Sequence, residues 1–476
     1  VNTNMNCSSR TGNAAYATLN HRAVSPAAMA FVGQIASLVE DQERLTKLRE
    51  AEVKAAEGLK KPRVNKRGAQ GSAKLWEAVE SFLGDLLTAA ANEEARGWVY
   101  RRLGKGDFSE ERVGIRTFSR LHSALSELGL VDHIKGAQWV VRNQFHEGPG
   151  QSYAKLDGAG QASRFRATES LLALALREGV DTSNIDEHFA PRLPQHPLVL
   201  MTASYRTGRE KHDGVRMGIK HDDTTKALEA EVKALNAFLE TFAITGGGFH
   251  GFIRVFNQGD DDGFRWNKGG RLYGVSDSRG HNFQLLPSEQ RLTMTIGGEA
   301  VVEIDITASY LTMLHSLHGV PFDPTAGDPY DIPEYTRPIV KAWLTATLGH
   351  KQHFDKWPEK TVERLRKKGF DNLPPIHAVR DAMLARYPIL CDWAEQRVTW
   401  ADLMYAESNA VIATMTRLMH EQRPSLPVHD SIIVRASDQE RAVEVLQEEY
   451  HKVSGIYPKL KVICAAKEPE AIGTAW

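Results

Sequence analysis

Apolar residues recur along this chain at two spacings, and the change from one to the other divides it. Over residues 28–60, Phe31, Ile35, Leu38 and Val39 fall at helical intervals in a stretch rich in Ala, Leu, Glu and Lys, which predicts a helix. Pro62, Gly68 and Gly71 then interrupt the pattern over 60–72, as a linker would. A second helical block is expected from Leu75 to beyond Tyr100. Between 111 and 142 the periods alternate. An amphipathic stretch, 121–130, precedes the strand-like run 131–134, a Lys135-Gly136 turn and a second apolar run, Trp139-Val140-Val141. A Gly-rich loop follows, then an apolar helix over 171–176. Residues 185–225 carry Pro191, Pro194 and Pro197 and few long periodic runs, so a domain boundary is placed there. One more helix is expected over 225–243. Beyond 245, two β-branched runs read as buried strands, 301–306 and 427–434, and each carries an aspartate: Asp305 and Asp430.

The order helix, Gly129, short strand, turn and strand over 111–142 resembles the winged-helix domains of replication initiators. Arg116, Arg120, Arg164 and Arg166 are then candidates for phosphate contacts. A plain helical packing domain is the competing reading. The expected organisation is α+β. It comprises a helical segment and basic linker over 1–70, a helical, winged-helix-like domain over 71–185 and a connecting helical region over 186–245. The segment with the chemistry covers 246–476.

Composition narrows the class. The chain has 476 residues, 42% hydrophobic and 25% charged, which is ordinary for a globular protein. Its formal net charge of −1 conceals local polarity, because residues 54–74 carry seven basic side chains against the single acid Glu57. A neutral total therefore does not exclude a nucleic-acid partner, since the local field decides. Cys7, Cys391 and Cys464 are too few and too dispersed for a disulfide framework or a zinc site, which fits a reducing cytosol. The first 18 residues are polar without an apolar signal core, and no stretch reaches the roughly 20 apolar residues of a membrane span. A cytoplasmic protein with no membrane partner is expected, and Val1 in place of Met suggests a trimmed or engineered start.

The chemistry lies in the pair of aspartates. Two carboxylates on adjacent strand ends can hold two divalent metal ions about 3.5–4 Å apart, one to activate a 3′-hydroxyl and one to neutralise a triphosphate. Upstream of Asp305 come Gly270-Arg271-Leu272, then Asn282-Phe283-Gln284-Leu285-Leu286-Pro287, then Arg291. Downstream, Arg337 and Lys341 stand four residues apart, on one helix face, where like charges suit an anion between them. His429 directly precedes Asp430.

In this order and spacing, residues 245–476 resemble the palm and fingers of family A DNA polymerases, and also the single-subunit RNA polymerases that share the palm. The resemblance implies an antiparallel palm sheet with helical fingers. It implies Mg²⁺ as cofactor, two ions, with Mn²⁺ as a substitute, held by Asp305, Asp430 and the backbone carbonyl of Ile306. Arg337 and Lys341 would bind a nucleoside triphosphate. Arg271, Gln284, Arg291 and His429 would hold a DNA primer and template. Tyr310, five residues after Asp305, stands where family A has its sugar-selecting glutamate and where family B polymerases have a tyrosine, so it is expected to favour deoxynucleotides. Ser431 points the other way, since DNA-polymerising members usually carry Glu after that aspartate and RNA-polymerising members often carry Ser. The chain also departs from the family where a stacking aromatic belongs. Thr345 stands at that place, leaving Tyr335, Trp343 or His350 as replacements.

The expected function is a DNA polymerase, with primase activity included, for replication of a mobile element or phage. A single-subunit RNA polymerase or primase, and an inactive DNA-binding initiator, are the alternatives. A two-metal nuclease ranks last, because it needs neither the Arg–Lys helix nor the Gly-Arg turn. The sequence leaves the oligomeric state open.

Overall fold

A computed structural model describes residues 14–59, 67–93, 95–104, 106–108, 111–139, 159–207, 210–276, 282–350 and 353–465. Cys7, most of the basic run over 60–66, and Val140 and Val141 of the second apolar run lie outside them. The chain forms two compact units, one through His196 together with 275–282, the other comprising 197–274 and 283–476.

In the first unit, helix α1 (Pro26–Ala56) starts where the Ser25 side chain caps the Ala28 amide, and it buries Phe31, Ile35 and Val39. Helix α2 (Ala69–Ala90) begins six residues before Leu75 and ends well before Tyr100. Tyr100 instead belongs to strand β1 (Trp98–Arg101). The glycine at 68 is thus a helix cap and Gly71 lies inside the helix. The turn at Arg96 and Gly97, both at positive φ, ends the helical run that the apolar pattern alone extended. Helix α3 (Ile115–Glu127) leads into strand β2 (Val131–Ile134), and strand β3 (Ser163–Ala167) returns beside it.

The sheet order is Ala15–Tyr16, β1, β3, β2. The strands on either side of the Lys135-Gly136 turn do not pair with each other among the described residues. Val131–Ile134 pairs with Ser163–Ala167, and Ala137–Trp139 pairs with Ala159–Gln161, so one long two-part hairpin forms. Phe82, Phe118 and Phe165 meet edge to face at 5.0–5.5 Å and lock α2, α3 and β3 together. Residues expected in separate segments, 1–70 and 71–185, therefore share one core. Of the four arginines offered to phosphates, Arg116 and Arg120 are exposed on α3. Arg166 is committed to Asp132 at 2.7 Å and lies over Trp98.

The second unit holds the aspartates. Helix α4 (Asp223–Glu240), with a capping box at Asp222 and Thr225, packs Val232, Leu235 and Leu239 into this unit's core. Strands β4 (Phe252–Phe256) and β5 (Gly269–Gly274) form a hairpin, and Asp260-Asp261-Asp262 sit in its loop. Strand β6 (Glu299–Ile306) is followed by helix α5 (Ser309–Leu317), then α6 (Arg337–Leu348), α7 (Glu359–Arg366) and α8 (Ile376–Arg386). The long helix α9 (Trp400–His420) leads to the hairpin β7 (Ser425–Val428) and β8 (Ser431–Arg435), helix α10 (Gln439–Ser454) and strand β9 (Leu460–Ile463). All pairings of β6 are antiparallel: β8 on one side, β9 and the short strand Thr295–Ile296 on the other. The structure is thus a mixed α+β arrangement with small antiparallel sheets, in keeping with the expected class. No helix among the described residues is long and apolar enough to cross a membrane.

Candidate active site

The alternation of β6 sorts its side chains. Ile304 and Ile306 are buried on one face, while Glu303 and Asp305 point to the other. Antiparallel pairing sets Asp305 opposite Ser431, the residue after Asp430. Asp430 occupies the turn between β7 and β8, where His429 takes a left-handed φ of 56°. The Ile306 amide donates to the Asp430 carbonyl at 3.2 Å. Residues 125 apart in sequence are so brought to one end of one sheet. On the far side of β6, β9 sets Lys461 opposite Asp305.

The two carboxylates act on each other. Burial, and next the charge of Asp430, push Asp305 up to about 6, while Lys341 and Lys461 pull in the opposite direction. Lys341 therefore reaches the carboxylates electrostatically from α6. That helix buries Ile339, Val340, Trp343 and Leu344 and leaves Arg337 and Lys341 exposed, as their spacing of four predicts. Tyr330 lies beneath both cations. The Arg337 guanidinium stands 4.8 Å from its ring centroid and the Lys341 ammonium 5.7 Å. Burial, and then Asp430, raise the Tyr330 phenol, so it remains a neutral donor. Arg337 is steadied by an ion pair with Asp328.

A second tyrosine–cation pair flanks the aspartates. The Arg271 guanidinium lies 5.4 Å from the Tyr310 ring and pairs with Glu407, a fully buried residue of α9. The pairing depends on close approach of β5 to α9. Gly269 and Gly270 both have φ near 78°, and a Cβ on Gly270 would press within 3.2 Å of Ser408 Oγ and Tyr405.

Three side chains expected at the primer or template are engaged elsewhere. Arg291 grips the buried Glu303 with both arms at 2.8–3.1 Å and donates to the Leu286 carbonyl at 2.7 Å. Gln284 accepts from the Gly274 amide at 2.9 Å and donates to the Leu272 and Pro427 carbonyls at 3.2 and 2.7 Å, joining β5 to β7. Arg271 is held by Glu407. The physical reason is common to all three. Each lies where a buried acid or strand-edge backbone group needs a partner, and desolvation makes that need stronger than any surface role. Ser431, read as a sign of sugar choice, is buried and donates to Glu303 at 2.9 Å. Of the stacking candidates, Trp343 is 1% exposed and belongs to the core. His350 is tilted against Phe354 at 4.6 Å, and Tyr335 is half-buried. His429 is exposed beside Asp430.

Sequence reading overlooked Tyr330, Glu407, Glu303 and Lys461. Glu407 was discoverable, since a lone acid on an apolar helical stripe with Leu403, Ala410 and Val411 needs a buried cation. Glu303 had the same signature inside a β-branched strand. Tyr330 lies in an irregular segment with no period to flag it.

The donor set fits a hard divalent cation. Two carboxylates and a neighbouring strand-end carbonyl at Ile306 offer oxygen alone. Among the described residues no group of three or more His, Cys, Asp or Glu side chains gathers as a metal cage. Few protein ligands suit Mg²⁺, which keeps waters and shares substrate phosphates. A cation there would also offset the repulsion that raises Asp305.

No protein-family model matches this chain, and no curated protein sequence matches it. Among solved structures, the polymerase domain of Pol1 from M. smegmatis, in complex with DNA primer-template and dNTP, aligns over 50% of each chain at 14% identity, with a TM-score of 0.28. At that level the likeness does not establish a shared fold, and the aligned part spans about half the length of that polymerase domain.

Proposed function

We propose that this protein catalyses template-directed nucleotidyl transfer, as a DNA polymerase. The observation that carries the reading is the placement of Asp305 and Asp430 at one sheet end, with the exposed Arg337–Lys341 face and the Tyr330 hydroxyl beside them. Asp305, Asp430 and the Ile306 carbonyl would hold Mg²⁺. When bound, that metal supplies charge neutralisation at phosphate and a more acidic 3′-hydroxyl. Lys341 and Arg337 bind the triphosphate by charge-assisted hydrogen bonds. Tyr330 adds a neutral donor, because its hydroxyl makes no hydrogen bond with any described residue. Tyr310 lies on the other flank, fixed under Arg271, where its ring would crowd a ribose 2′-hydroxyl. Most of the catalytic effect in such a site comes from positioning and charge.

Ser431, which the resemblance counts toward an RNA enzyme, also has a packing role here, because its hydroxyl donates to the buried Glu303. The test is a gel assay on a single-stranded DNA template, with and without annealed primer, with Mg²⁺ and either deoxynucleotides or ribonucleotides. Primer extension with deoxynucleotides alone, abolished in Asp430→Asn, is expected. Extension only with ribonucleotides would favour the RNA polymerase reading, and synthesis retained in Asp430→Asn would refute the metal assignment.

A further inference from the structure

A second feature of the same unit points to nucleic acid independently of the carboxylates. Helix α7 packs on α6 and buries Thr361 and Leu365. Its acids keep to one flank, where Glu359 and Glu363 are joined by Arg366, while Lys360, Arg364 and Lys367 share another at spacings of four and three with no acid among them. All three cations are exposed, and Lys368 extends the row.

None of these four makes an ion pair or side-chain hydrogen bond with a described residue. Several half-buried arginines elsewhere in this unit are, by contrast, matched to acids. Arg417 pairs with Glu449 at 3.0 Å, Arg435 with Asp438 at 2.7 Å and Arg441 with Glu421 at 2.8 Å. Nor do the α7 cations cap the helix. Its end is closed by backbone bonds from Gly369 to Arg366 at 2.8 Å and from Phe370 to Leu365 at 3.1 Å. The segment is also firmly mounted, because Leu365 is 2% exposed and the Trp357 indole donates to the Pro374 carbonyl at 2.8 Å.

We infer that Lys360, Arg364 and Lys367 form a docking surface for the phosphate backbone of a nucleic-acid strand. The stripe is about 10 Å long at 1.5 Å per residue, enough to face roughly two or three successive phosphates of one strand. Like charges one helical turn apart repel, and a polyanion laid along them removes that repulsion. The inference goes beyond nucleotidyl transfer and needs no catalysis.

The test compares the full-length wild type with the triple variant K360Q/R364Q/K367Q. Binding of labelled single-stranded and duplex oligonucleotides is measured by fluorescence anisotropy across a salt series, in EDTA and without nucleotides. A control triple variant, K226Q/K233Q/K452Q, removes lysines that each pair with an acid. For a single strand the slope of log K against log salt should become shallower by about 2, from about 0.7 per lost phosphate contact, and affinity at low salt should fall about tenfold. The control should change neither. A loss confined to duplex would place the same chemistry on paired DNA and still support the assignment. An unchanged slope, an equal loss in the control, or equally strong competition by polyglutamate would overturn it. Because binding is read without catalysis, a wild type that binds but never extends a primer would refute the polymerase reading and leave this one standing.

Discussion

Replacing Asp305 with asparagine should make the metal-free protein more stable. A carboxyl whose proton affinity is higher in the folded than in the unfolded chain favours folding only while it is protonated. Burial and Asp430 move Asp305 from 3.8 to about 6. Its contribution is therefore fully present below about pH 4 and is lost as pH rises through 6. At about 1.4 kcal/mol per pH unit, the ionised carboxylate costs about 3 kcal/mol at neutral pH, and Asp305→Asn should recover it. For a unit of this size that is roughly 6–12 °C in Tm. Magnesium should close about half of that gap. A tenfold excess over Kd stabilises the wild type by about 1.4 kcal/mol and should leave the variant nearly unaffected. The assay is thermal unfolding of both proteins from pH 4 to 8, in EDTA and in Mg²⁺. A variant less stable than wild type in EDTA at pH 7.5, or a wild type indifferent to pH over 4–6, would falsify the argument that the two carboxylates are forced together.

Three further outcomes are expected. Arg291→Ala leaves the buried Glu303 carboxylate without its cation and should cost about 3–5 kcal/mol in denaturant unfolding; an unchanged midpoint with weakened primer binding would restore its sequence-based role. Lys341→Ala should raise KM for a nucleoside triphosphate roughly 10–100-fold, as befits one or two hydrogen bonds to a charged group, and Tyr330→Phe only about fivefold. Steady-state kinetics with each variant checks both, and an unchanged KM in Tyr330→Phe would separate Tyr330 from the phosphates. Tyr310→Ala should narrow the preference for deoxynucleotides over ribonucleotides at least tenfold by removing the ring; an unaltered ratio would place the sugar selection elsewhere.

Residues that declare themselves by period were legible, and residues chosen by burial were not. The strands around Asp305 and Asp430 stood out because β-branched runs must be covered on both faces. The Arg337–Lys341 face stood out because a helix projects that spacing to one side. Arg291, Gln284 and Arg271 follow the motif order on which the family resemblance rests, yet order does not reveal which polar atoms lack water. Glu303, Glu407 and the Leu272 and Pro427 carbonyls do lack it, and they claimed those side chains. The end of α2 was missed for a local reason, since the positive-φ turn at Arg96 and Gly97 interrupts a stretch whose apolar spacing suits either period.

The Glu303 carboxylate, joined to Arg291, Ser288 and Ser431, makes those positions inherit one another's history. A lineage could not exchange Ser431 for a glutamate, or Arg291 for a neutral residue, by a single step without passing through a crippled intermediate. Substitutions at 291, 303 and 431 should therefore appear together among descendants of this sequence, and a library randomised at one of them alone should return almost only the starting residue.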